Sequence, residues 1–477
     1  MNPLDRLRGK GRDANDRDAN DRDANDRDAN DRGGHHRDGR VVFLGLDGVP
    51  YGLVRDHPEV FSNLHALAER GSAGEIESIV PPESSACWPA LTTGVNPGKT
   101  GVYGFQDRKK GSYETYVPTA GNVEAPAIWD HVTDAERDAT VLNVPMTYPP
   151  STRIQRQVSG FLSPSVSDAA SDEGVRRVLE RSGYRIDVDG ELGHRTDRSA
   201  FLDDAHEVTA ARHRVLMHYL DVDDWDLLFG VFMSTDRVNH FLFDEYARDG
   251  PLADRFLEFY ATVDAYVGEV RDAIDDDTTL VVASDHGFTT QHHEVHCNRW
   301  LAEAGWIPPA PDGETLADVA SGGRAYSLIP GRFYLNLEGR EPDGVVPANE
   351  YEAVRAELAA DLRDLTGPDG DPVCRRVVTG TDAFSGPHVG IAPDLVVIPT
   401  DGYDLKSGFS TDGPIFDVGP RTGMHTFDDA ILFTDVPDVD VRGADLYDLA
   451  PTMLDLLGIS LPDSLEGDSL IASPQHG

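Results

Sequence analysis

From residue 40 onward the chain alternates between unbroken apolar runs and amphipathic stretches. The apolar runs are VVFLGLDG directly after Arg40, ATVLNVP (139–145), DLLFGVFM (226–233), TTLVVASD (278–285) and PDLVVIP (393–399). Runs of this length that end in turn residues are typical of strands buried on both faces of a parallel sheet. We therefore predict five such strands and an ordered region that begins at Arg40.

Helical patterns separate several of these runs. One follows the first strand to about Arg70, and others cover 251–275, 351–366 and 445–458. This alternation predicts an α/β fold, a mainly parallel sheet sandwiched by helices on both faces. Because connection rules bring the carboxyl ends of such strands to one edge, where open sheets bind ligands, we expect the functional site at that edge.

The chain of 477 residues exceeds the size at which a single core stops growing. Residues 301–420 are rich in Pro and Gly and have a less regular pattern. We predict that they form a cap or insertion with some core strands, between core segments at 40–300 and 421–470.

The first 39 residues have a different character. From Arg12 to Arg32 they repeat R-D-A-N-D with a period of five. A segment with so little apolar surface cannot offset the entropy cost of ordering, so we predict a disordered tail. His35 and His36 belong to this tail, and we interpret them as solvated rather than metal-binding.

The composition of the chain limits the classes of binding partner that it favours. Asp and Glu number 84 against 42 Lys and Arg, a formal net charge of −42, which disfavours duplex nucleic acid and anionic membranes. No apolar run approaches a membrane span, no signal peptide is visible, and the three cysteines are too scattered for a disulfide framework. We expect a cytoplasmic protein, whose oligomeric state the sequence leaves open.

Lysine is scarce. Its positions are Lys10, Lys99, Lys109, Lys110 and Lys406. Strong acidity with little lysine is similar to proteins of salt-loving archaea, in which a carboxylate surface stays hydrated and salt screens its self-repulsion. A locally acidic mesophilic protein is the alternative, but the acidic excess extends along the whole chain and favours the halophilic interpretation.

Candidate metal ligands lie where the predicted strands end. Asp47 and Asp285 each close a strand, and His286 follows directly; Asp236 and His240, in TDRVNH, are four residues apart and share a helix face. Carboxylate and neutral imidazole are common ligands of first-row metals. Alone, the Asp236/His240 pair is more often a surface hydrogen bond, and the Asp285-His286 pair could equally be a solvated turn. Their combination favours a metal site.

The segment PPESSACWPALTTGVNPGKTG (81–101) supplies the candidate nucleophile. A serine pair followed by apolar residues predicts an N-cap that opens a helix. At that position the helix dipole and a nearby cation would favour a serine alkoxide and an incoming phosphate. Plain helix capping is the alternative, and on these grounds Ser84 and Ser85 are equal candidates.

This segment also resembles two known motifs, a phosphate-binding P-loop and a sulfatase motif, but it matches neither. GVNPGKT has three residues between Gly94 and Gly98, whereas a phosphate-binding P-loop has four. Cys87-Trp88-Pro89 is similar to the start of a sulfatase motif, but Leu91 stands where that motif has arginine. The remaining candidate, His425 in GMHTF (423–427), is predicted in a glycine-flanked turn and alone carries little weight.

Taken in order, the motifs LDG, PPxS…TTGxNPGK(T)G, TDRxNH, SDHG and GxHT resemble the alkaline-phosphatase superfamily, specifically its type I phosphodiesterase/nucleotide pyrophosphatase branch. The resemblance runs from about residue 40 to the end of the chain and includes NVPMTYPP (143–150), HCNRWL (296–301) and DLAPTMLDLLG (448–458). It implies an alkaline-phosphatase-like fold and hydrolysis of a small phosphodiester or nucleotide pyrophosphate through a phosphoserine.

The resemblance also implies residue roles. The superfamily's nucleophile lies nine residues before the Thr of its Thr-Gly pair, which favours Ser84 by its distance from Thr93. Two divalent ions are implied, Zn²⁺ or alternatively Mn²⁺. One would be bound by Asp47, Ser84, Asp285 and His286, and the other by Asp236, His240 and His425.

The sequence departs from the branch at two points. Thr100 stands where many relatives have histidine, and the asparagine that contacts the transferred phosphoryl group has no clear counterpart near Ser84. His296, Asn298 and Arg299 follow SDHG and could reach the site, although a polar loop is the alternative.

Three other functions stay open. A phosphomutase, or a phosphomonoesterase or sulfatase-like hydrolase of the same superfamily, would use similar residues. A degenerate, non-catalytic binding protein is the alternative from another class, and the complete set of seven ligands argues against it.

Overall fold

The computed structural model describes residues 39–195, 197–222 and 224–471. The predicted tail, with His35 and His36, lies outside these residues apart from Gly39. The strands are β1 Arg40–Leu46, β2 Ser72–Ile76, β3 Asp107–Arg108, β4 Thr115–Tyr116, β5 Ala139–Val144, β6 Arg156–Ser159, β7 Leu227–Phe232, β8 Thr278–Ala283, β9 Gly287–Thr290, β10 His293–His296, β11 Ala325–Leu328, β12 Arg332–Leu335, β13 Cys374–Thr379, β14 Leu395–Pro399, β15 Tyr403–Lys406, β16 Phe416–Asp417, β17 Gly423–Thr426 and β18 Ala430–Thr434.

Helices connect most of the strands. They are α1 Tyr51–Asp56, α2 Ser62–Arg70, α3 Ser84–Thr93, α4 Pro97–Thr100, α5 Ile128–Asp134, α6 Val166–Ala169, α7 Glu173–Arg181, α8 Gly190–Gly193, α9 Ser199–Asp221, α10 Ser234–Ala247, α11 Ala253–Ala273, α12 Cys297–Glu303, α13 Leu316–Ala320, α14 Tyr351–Asp364, α15 Gly380–Ala383 and α16 Leu449–Leu456. In the part of the chain that the structure describes, no helix is both long and apolar enough to cross a membrane.

The main sheet has seven strands in the order β2-β18-β8-β1-β7-β5-β6. The strands from β8 to β6 run parallel, whereas β18 pairs antiparallel with both β8 and β2. Four of the five predicted strands are β1, β5, β7 and β8, and they form the centre of this sheet. The predicted α/β fold with a mainly parallel sheet is confirmed.

Alternate side chains of β1 show how the sheet is covered. Val42 and Leu44 pack into a core with residues of α2, α9, α10 and α11. Val41 and Phe43 point to the opposite face, where they pack with residues of α3, α5 and α16. Burial on both faces explains why the strand sequence is a continuous apolar run rather than an alternating one.

The fifth apolar run, at 393–399, was wrongly assigned to the parallel sheet. Its strand β14 belongs to a separate four-stranded sheet of order β11-β12-β14-β13 and pairs antiparallel with both neighbours. A continuous apolar run reports burial on two faces but does not reveal which sheet the strand joins.

Residues between β10 and β16 contribute most of a further apolar core. This core packs around the four-stranded sheet and the small sheet β15-β10-β16. The division into a core and an inserted cap at 301–420 stays a prediction.

Candidate active site

Three adjacent strands of the main sheet position the candidate ligands. Asp47 follows β1, Asp285 and His286 follow β8, and α10, which carries Asp236, begins just after β7. Since β8, β1 and β7 are parallel neighbours in register, their carboxyl ends lie side by side. The sheet edge predicted from the sequence is therefore where these side chains meet.

Asp47, Asp285, His286 and Ser84 converge at that edge. The Ser84 Oγ lies 3.1 Å from the His286 Nε2 and 3.4 Å from the Asp47 Oδ1. The same His286 Nε2 is 3.5 Å from the Asp285 Oδ2 and 3.7 Å from the Asp47 Oδ1. Both aspartates and the histidine are 0% exposed, and Ser84 is 6% exposed.

Ser84 is the first helical residue of α3 rather than its N-cap. Glu83 occupies the N-cap position with extended backbone, φ −135° and ψ 123°, and no side chain caps this helix end. The predicted capping role of the serine is therefore wrong by one position. Because its hydroxyl is not used for capping, it is available to face Asp47 and His286.

Asp236, His240 and His425 form the second cluster. The Asp236 Oδ1 lies 3.3 Å from the His240 Nε2 and 3.1 Å from the His425 Nε2, and the two Nε2 atoms are 3.1 Å apart. His425 lies in strand β17, where it pairs with Phe288 of β9, so the predicted turn was wrong. A four-residue strand that starts with glycine has too few positions to show a two-residue period.

The rings of the three histidines, His240, His286 and His425, each make the same kind of hydrogen bond. Each Nδ1 lies 3.0 Å from a backbone carbonyl oxygen: that of Gly423 for His240, Gly287 for His286 and Pro82 for His425. A carbonyl only accepts, so Nδ1 carries the proton and Nε2 keeps its lone pair for a cation. Burial lowers the pKa of His240 and of His286, which keeps both rings neutral.

Burial disfavours the ionised forms of the three aspartates at the site. Burial, followed by repulsion between neighbouring carboxylates, raises the pKa of Asp47 well above its usual value and that of Asp285 to about 7. Burial opposes ionisation of Asp236 as well, but its pKa lies well below the usual value, and the Arg237 guanidinium at its Oδ2 favours the ionised form. The Asp285 Oδ2 has no hydrogen-bond partner among the described residues.

This donor set fits divalent cations. Two groups have ligand atoms within 4.8 Å of one another, Asp47–Asp285–His286 and Asp236–His286–His425. His286 belongs to both groups, and its ring stacks on that of His425 at 3.7 Å between centroids. The two ligand sets implied by the resemblance are thus contiguous, and His286 lies at their junction.

Trp88 and Gly45 support the first cluster and were missed in the sequence. The Trp88 Nε1 donates to the Asp47 Oδ2 at 2.8 Å. The indole packs directly against β1 at Gly45, where an added Cβ would lie 2.3 Å from the Trp88 Cη2. Only glycine leaves room for the indole there, although the pattern alone indicates nothing more than a small residue in a strand.

Arg237 supports the second cluster and was likewise missed. Its Nη1 donates to the Asp236 Oδ2 at 2.9 Å, and its Nη2 donates to the Asp187 Oδ2 at 3.0 Å. The guanidinium therefore holds the oxygen of Asp236 that does not face the histidines. Arg237 lies inside the TDRVNH motif, so its adjacency to Asp236 was the available signal.

A cleft of about 410 Å³ opens onto the second cluster and Ser84. One part of its wall is aromatic, with Phe105 and Phe161 stacked at 6.2 Å between centroids. Lys406 and Arg421 add positive charge to the wall. Glu83 also lines the cleft, and burial raises its pKa to about 7.

His296, Asn298 and Arg299 do not line this cleft. Asn298 is buried in α12, where its Nδ2 donates to the carbonyl oxygens of Ser327 and Gly408. The Arg299 Nη1 donates to the Pro414 carbonyl oxygen. These residues tie α12 to neighbouring segments, and the polar loop proposed for them is largely helix.

The sequence pattern of the type I phosphodiesterase / nucleotide pyrophosphatase family matches residues 41–428. A stretch of 116 residues is 36% identical to GPI ethanolamine phosphate transferase 3 of Eremothecium gossypii, and this covers 22% of the chain and 10% of that protein.

Three solved structures share the fold at low sequence identity. Phosphonoacetate hydrolase from Sinorhizobium meliloti 1021 superposes with a TM-score of 0.58 at 16% identity, covering 88% of this chain and 96% of the hydrolase. Murine ectonucleotide pyrophosphatase / phosphodiesterase 5 gives 0.51 at 14%, with 89% and 96% covered. A mutant of the alkaline phosphatase PafA gives 0.56 at 13%, with 92% and 99% covered.

The family match spans most of the chain and includes every residue of the two clusters. The structural similarities cover 88–92% of the chain and are those of an alkaline-phosphatase-like fold. Together they support a phosphoesterase-type hydrolase. The chain belongs to the type I phosphodiesterase / nucleotide pyrophosphatase family.

Proposed function

We propose that the protein hydrolyses phosphate esters, either phosphodiesters or nucleotide pyrophosphates, with Ser84 as the nucleophile and two divalent cations as cofactors. The observation that carries the proposal is the position of the Ser84 hydroxyl, within 3.4 Å of both Asp47 and His286, in a residue that lines the cleft. Opening a helix does not require a serine hydroxyl to lie against a buried aspartate and a buried histidine, both of which are common metal ligands.

The ligands divide into two sets in this proposal. Asp47, Ser84, Asp285 and His286 hold one ion, and the second ion is held by Asp236, His240 and His425. The imidazole and carboxylate donors without thiolate suit Zn²⁺, with Mn²⁺ as the alternative. When bound, the ions would favour ionisation of the serine hydroxyl and offset negative charge on the oxygens around phosphorus.

In this proposal the ester is hydrolysed in two steps, formation of a phosphoserine and its hydrolysis. The Ser84 Oγ forms a bond to phosphorus while the bond from phosphorus to the leaving oxygen breaks, which gives a phosphoserine and an alcohol or phosphate that takes up a proton. Water then attacks the phosphorus, the Oγ–phosphorus bond breaks, and Ser84 is regenerated. Asp47 and His286 fix the Oγ position in both steps.

The cleft supports a small substrate. Its volume of about 410 Å³ lies within the range of ligand pockets, about 300–1,000 Å³. Phe105 and Phe161 offer an apolar surface for the ester group, and Ser84 and the second cluster line the same cleft. This combination suits a phosphate ester with an organic arm.

Replacement of each serine of the pair tests the proposal. Ser84→Ala should abolish turnover of bis-p-nitrophenyl phosphate with saturating Zn²⁺ or Mn²⁺. Three proposed ligands of each ion remain, so metal content at saturating metal should stay near two ions per chain by mass spectrometry. Ser85→Ala is the matched control, since the Ser85 Oγ donates to Glu83 rather than facing the clusters. Near-normal turnover by the Ser84 variant would refute the assignment of the nucleophile.

A further inference from the structure

Three cationic side chains line the catalytic cleft, and two of them are already paired. Arg237 is bound to Asp236 and Asp187, and Lys406 forms an ion pair with Asp404. The Arg421 side chain makes no hydrogen bond or ion pair with any residue in the described ranges. Although the chain has 84 acidic residues, none of the described ones forms a hydrogen bond or ion pair with this arginine of the cleft wall.

The backbone next to Arg421 is fixed against the second metal cluster. The Thr422 N–H donates to the His240 carbonyl oxygen at 2.7 Å, and the Thr422 carbonyl oxygen accepts from the Gln291 N–H at 2.8 Å. Strand β17 begins at the next residue, Gly423, and carries His425. Arg421 is therefore anchored within a few residues of the proposed reaction centre while its side chain remains unpaired.

The nearby carboxylate, Asp404, interacts with Lys406 first: burial opposes its ionisation, but Lys406 and then the more weakly acting charge of Arg421 lower its pKa. Asp404 lines the same cleft, but its ion pair with Lys406 already balances its charge. A guanidinium offers five donors in a planar fork that matches the two oxygens of a carboxylate or phosphate. A partly buried fork of this kind favours an anionic ligand more strongly than a fully hydrated one does.

Resting on the proposed function, we propose that Arg421 selects substrates that carry a second anionic group, a phosphate or a carboxylate, beyond the phosphorus attacked by Ser84. The aromatic part of the wall around Phe105 and Phe161 accepts an apolar ester group. Arg421 lies two residues before β17, on the part of the wall that includes residues of β15 and β17, and there it contacts the charged arm of the substrate. The residue acts by binding and takes no part in bond making.

A series of three p-nitrophenyl phosphodiesters tests this selection. The esters share the leaving group and differ only in the second arm, which is propyl, 2-carboxyethyl or 3-phosphopropyl. The wild-type chain should show kcat/KM about tenfold to one hundredfold higher for at least one anionic arm, the gain expected from one charge-assisted contact. Comparison of the two anionic esters distinguishes a carboxylate ligand from a phosphate ligand.

Arg421→Ala should reduce kcat/KM for the anionic esters to that for the propyl ester and leave the propyl ester within about threefold. For the anionic esters, kcat/KM of Arg421→Lys should fall between the values of the wild-type chain and of Arg421→Ala, because lysine keeps the charge but lacks the planar fork of donors. Arg442→Ala is the matched control, since Arg442 is 91% exposed and pairs with Asp440 outside the cleft.

The outcomes separate the two proposals. No turnover of any ester by the wild-type chain with either metal would overturn the proposed function. Turnover without preference for an anionic arm, with no effect of Arg421→Ala, would overturn only the role of Arg421. An equal loss for all three esters would make Arg421 a structural residue and would also overturn its selective role.

Discussion

Trp88 and Asp47 form a buried pair in which the indole Nε1 donates to the Asp47 Oδ2 at 2.8 Å. The other oxygen, Oδ1, is left facing Ser84 at 3.4 Å and His286 at 3.7 Å. One helix, α3, thus supplies both the candidate nucleophile and the donor that fixes a candidate metal ligand. Any shift of α3 against β1 would move both groups together.

Trp88→Phe should therefore weaken metal binding. The variant keeps the aromatic bulk against Gly45 but leaves the Asp47 Oδ2 without its donor, and loss of such a supporting contact lowers metal affinity by about 10–100-fold. Competition with a chelator measures this change. Trp129→Phe is the matched control, since Trp129 also packs edge-on against Phe229. Equal metal affinities in the two variants would contradict the supporting role of Trp88.

Arg237→Met should affect the second cluster selectively. The change removes the donor to the Asp236 Oδ2, so Asp236 can rotate away from His240 and His425. We expect one of two metal equivalents to be lost at limiting metal, with affinity for that ion reduced by about 10–100-fold.

Asp187→Asn provides the comparison for Arg237→Met. It removes the negative charge of Asp187, which accepts from Arg237, but leaves the contact between Arg237 and Asp236 in place. It should therefore lower the affinity for the second ion less than Arg237→Met does. Metal counts at graded chelator concentrations distinguish the two. Retention of both ions in Arg237→Met would show that α10 alone orients Asp236.

Much of the site could be predicted because two physical rules converge on it. Apolar runs mark parallel strands, and polar residues at their carboxyl ends meet at one edge, which predicts that Asp47, Asp285 and His286 lie together. His425 could not be placed in this way, since its four-residue strand β17 depends on pairing with β9. Only the resemblance to a family pointed to it.

The supporting residues lacked such signals. Trp88 acts through a contact that joins two segments far apart in the chain, and no local period records such a contact. Asp47 and Trp88, for example, are 41 residues apart. The strand at 393–399 was misplaced for the same reason, because its sequence indicates burial while its neighbours determine the sheet. Long-range pairing is the information that the pattern of a single sequence lacks.

Asp445→Asn should stabilise the fold at neutral pH. Burial, with the neighbouring Asp448 and Glu77, raises the pKa of Asp445 to about 6. The unfolded pKa is about 3.9, so the folded state binds the proton more tightly. The resulting stability is fully present below about pH 4 and is lost as pH rises through about 6. The Asn keeps the oxygen that accepts from the Tyr447 N–H and cannot ionise.

Thermal melts at fixed salt measure this effect. The Tm of Asp445→Asn should exceed that of the wild-type chain at pH 7, and the difference should shrink towards zero below about pH 4. Asp440→Asn is the control of opposite sign, because Arg442 lowers the pKa of Asp440. A constant difference across this pH range would mean that the substitution acts through packing rather than through ionisation.

Salt should stabilise this protein if its acidity is an adaptation to high salt. A net charge of −42 makes the folded chain repel itself, and local clusters show the effect. Burial and then the carboxylates of Glu75 and Asp428 raise the pKa of Asp429 to about 6. The screening length falls from about 10 Å at 0.1 M salt to about 3 Å at 1 M, so the Tm should rise steeply over that range of KCl.

Screening alone should then reach a plateau, because repulsion beyond the nearest neighbours is already suppressed at about 1 M. A Tm that keeps rising in more concentrated KCl would indicate that hydrated carboxylates also contribute to the salt response. Asp429→Asn removes one member of the local cluster and should reduce the slope below 1 M, whereas the exposed, ion-paired Asp440→Asn should not. A Tm that falls as KCl rises would contradict the halophilic interpretation outright.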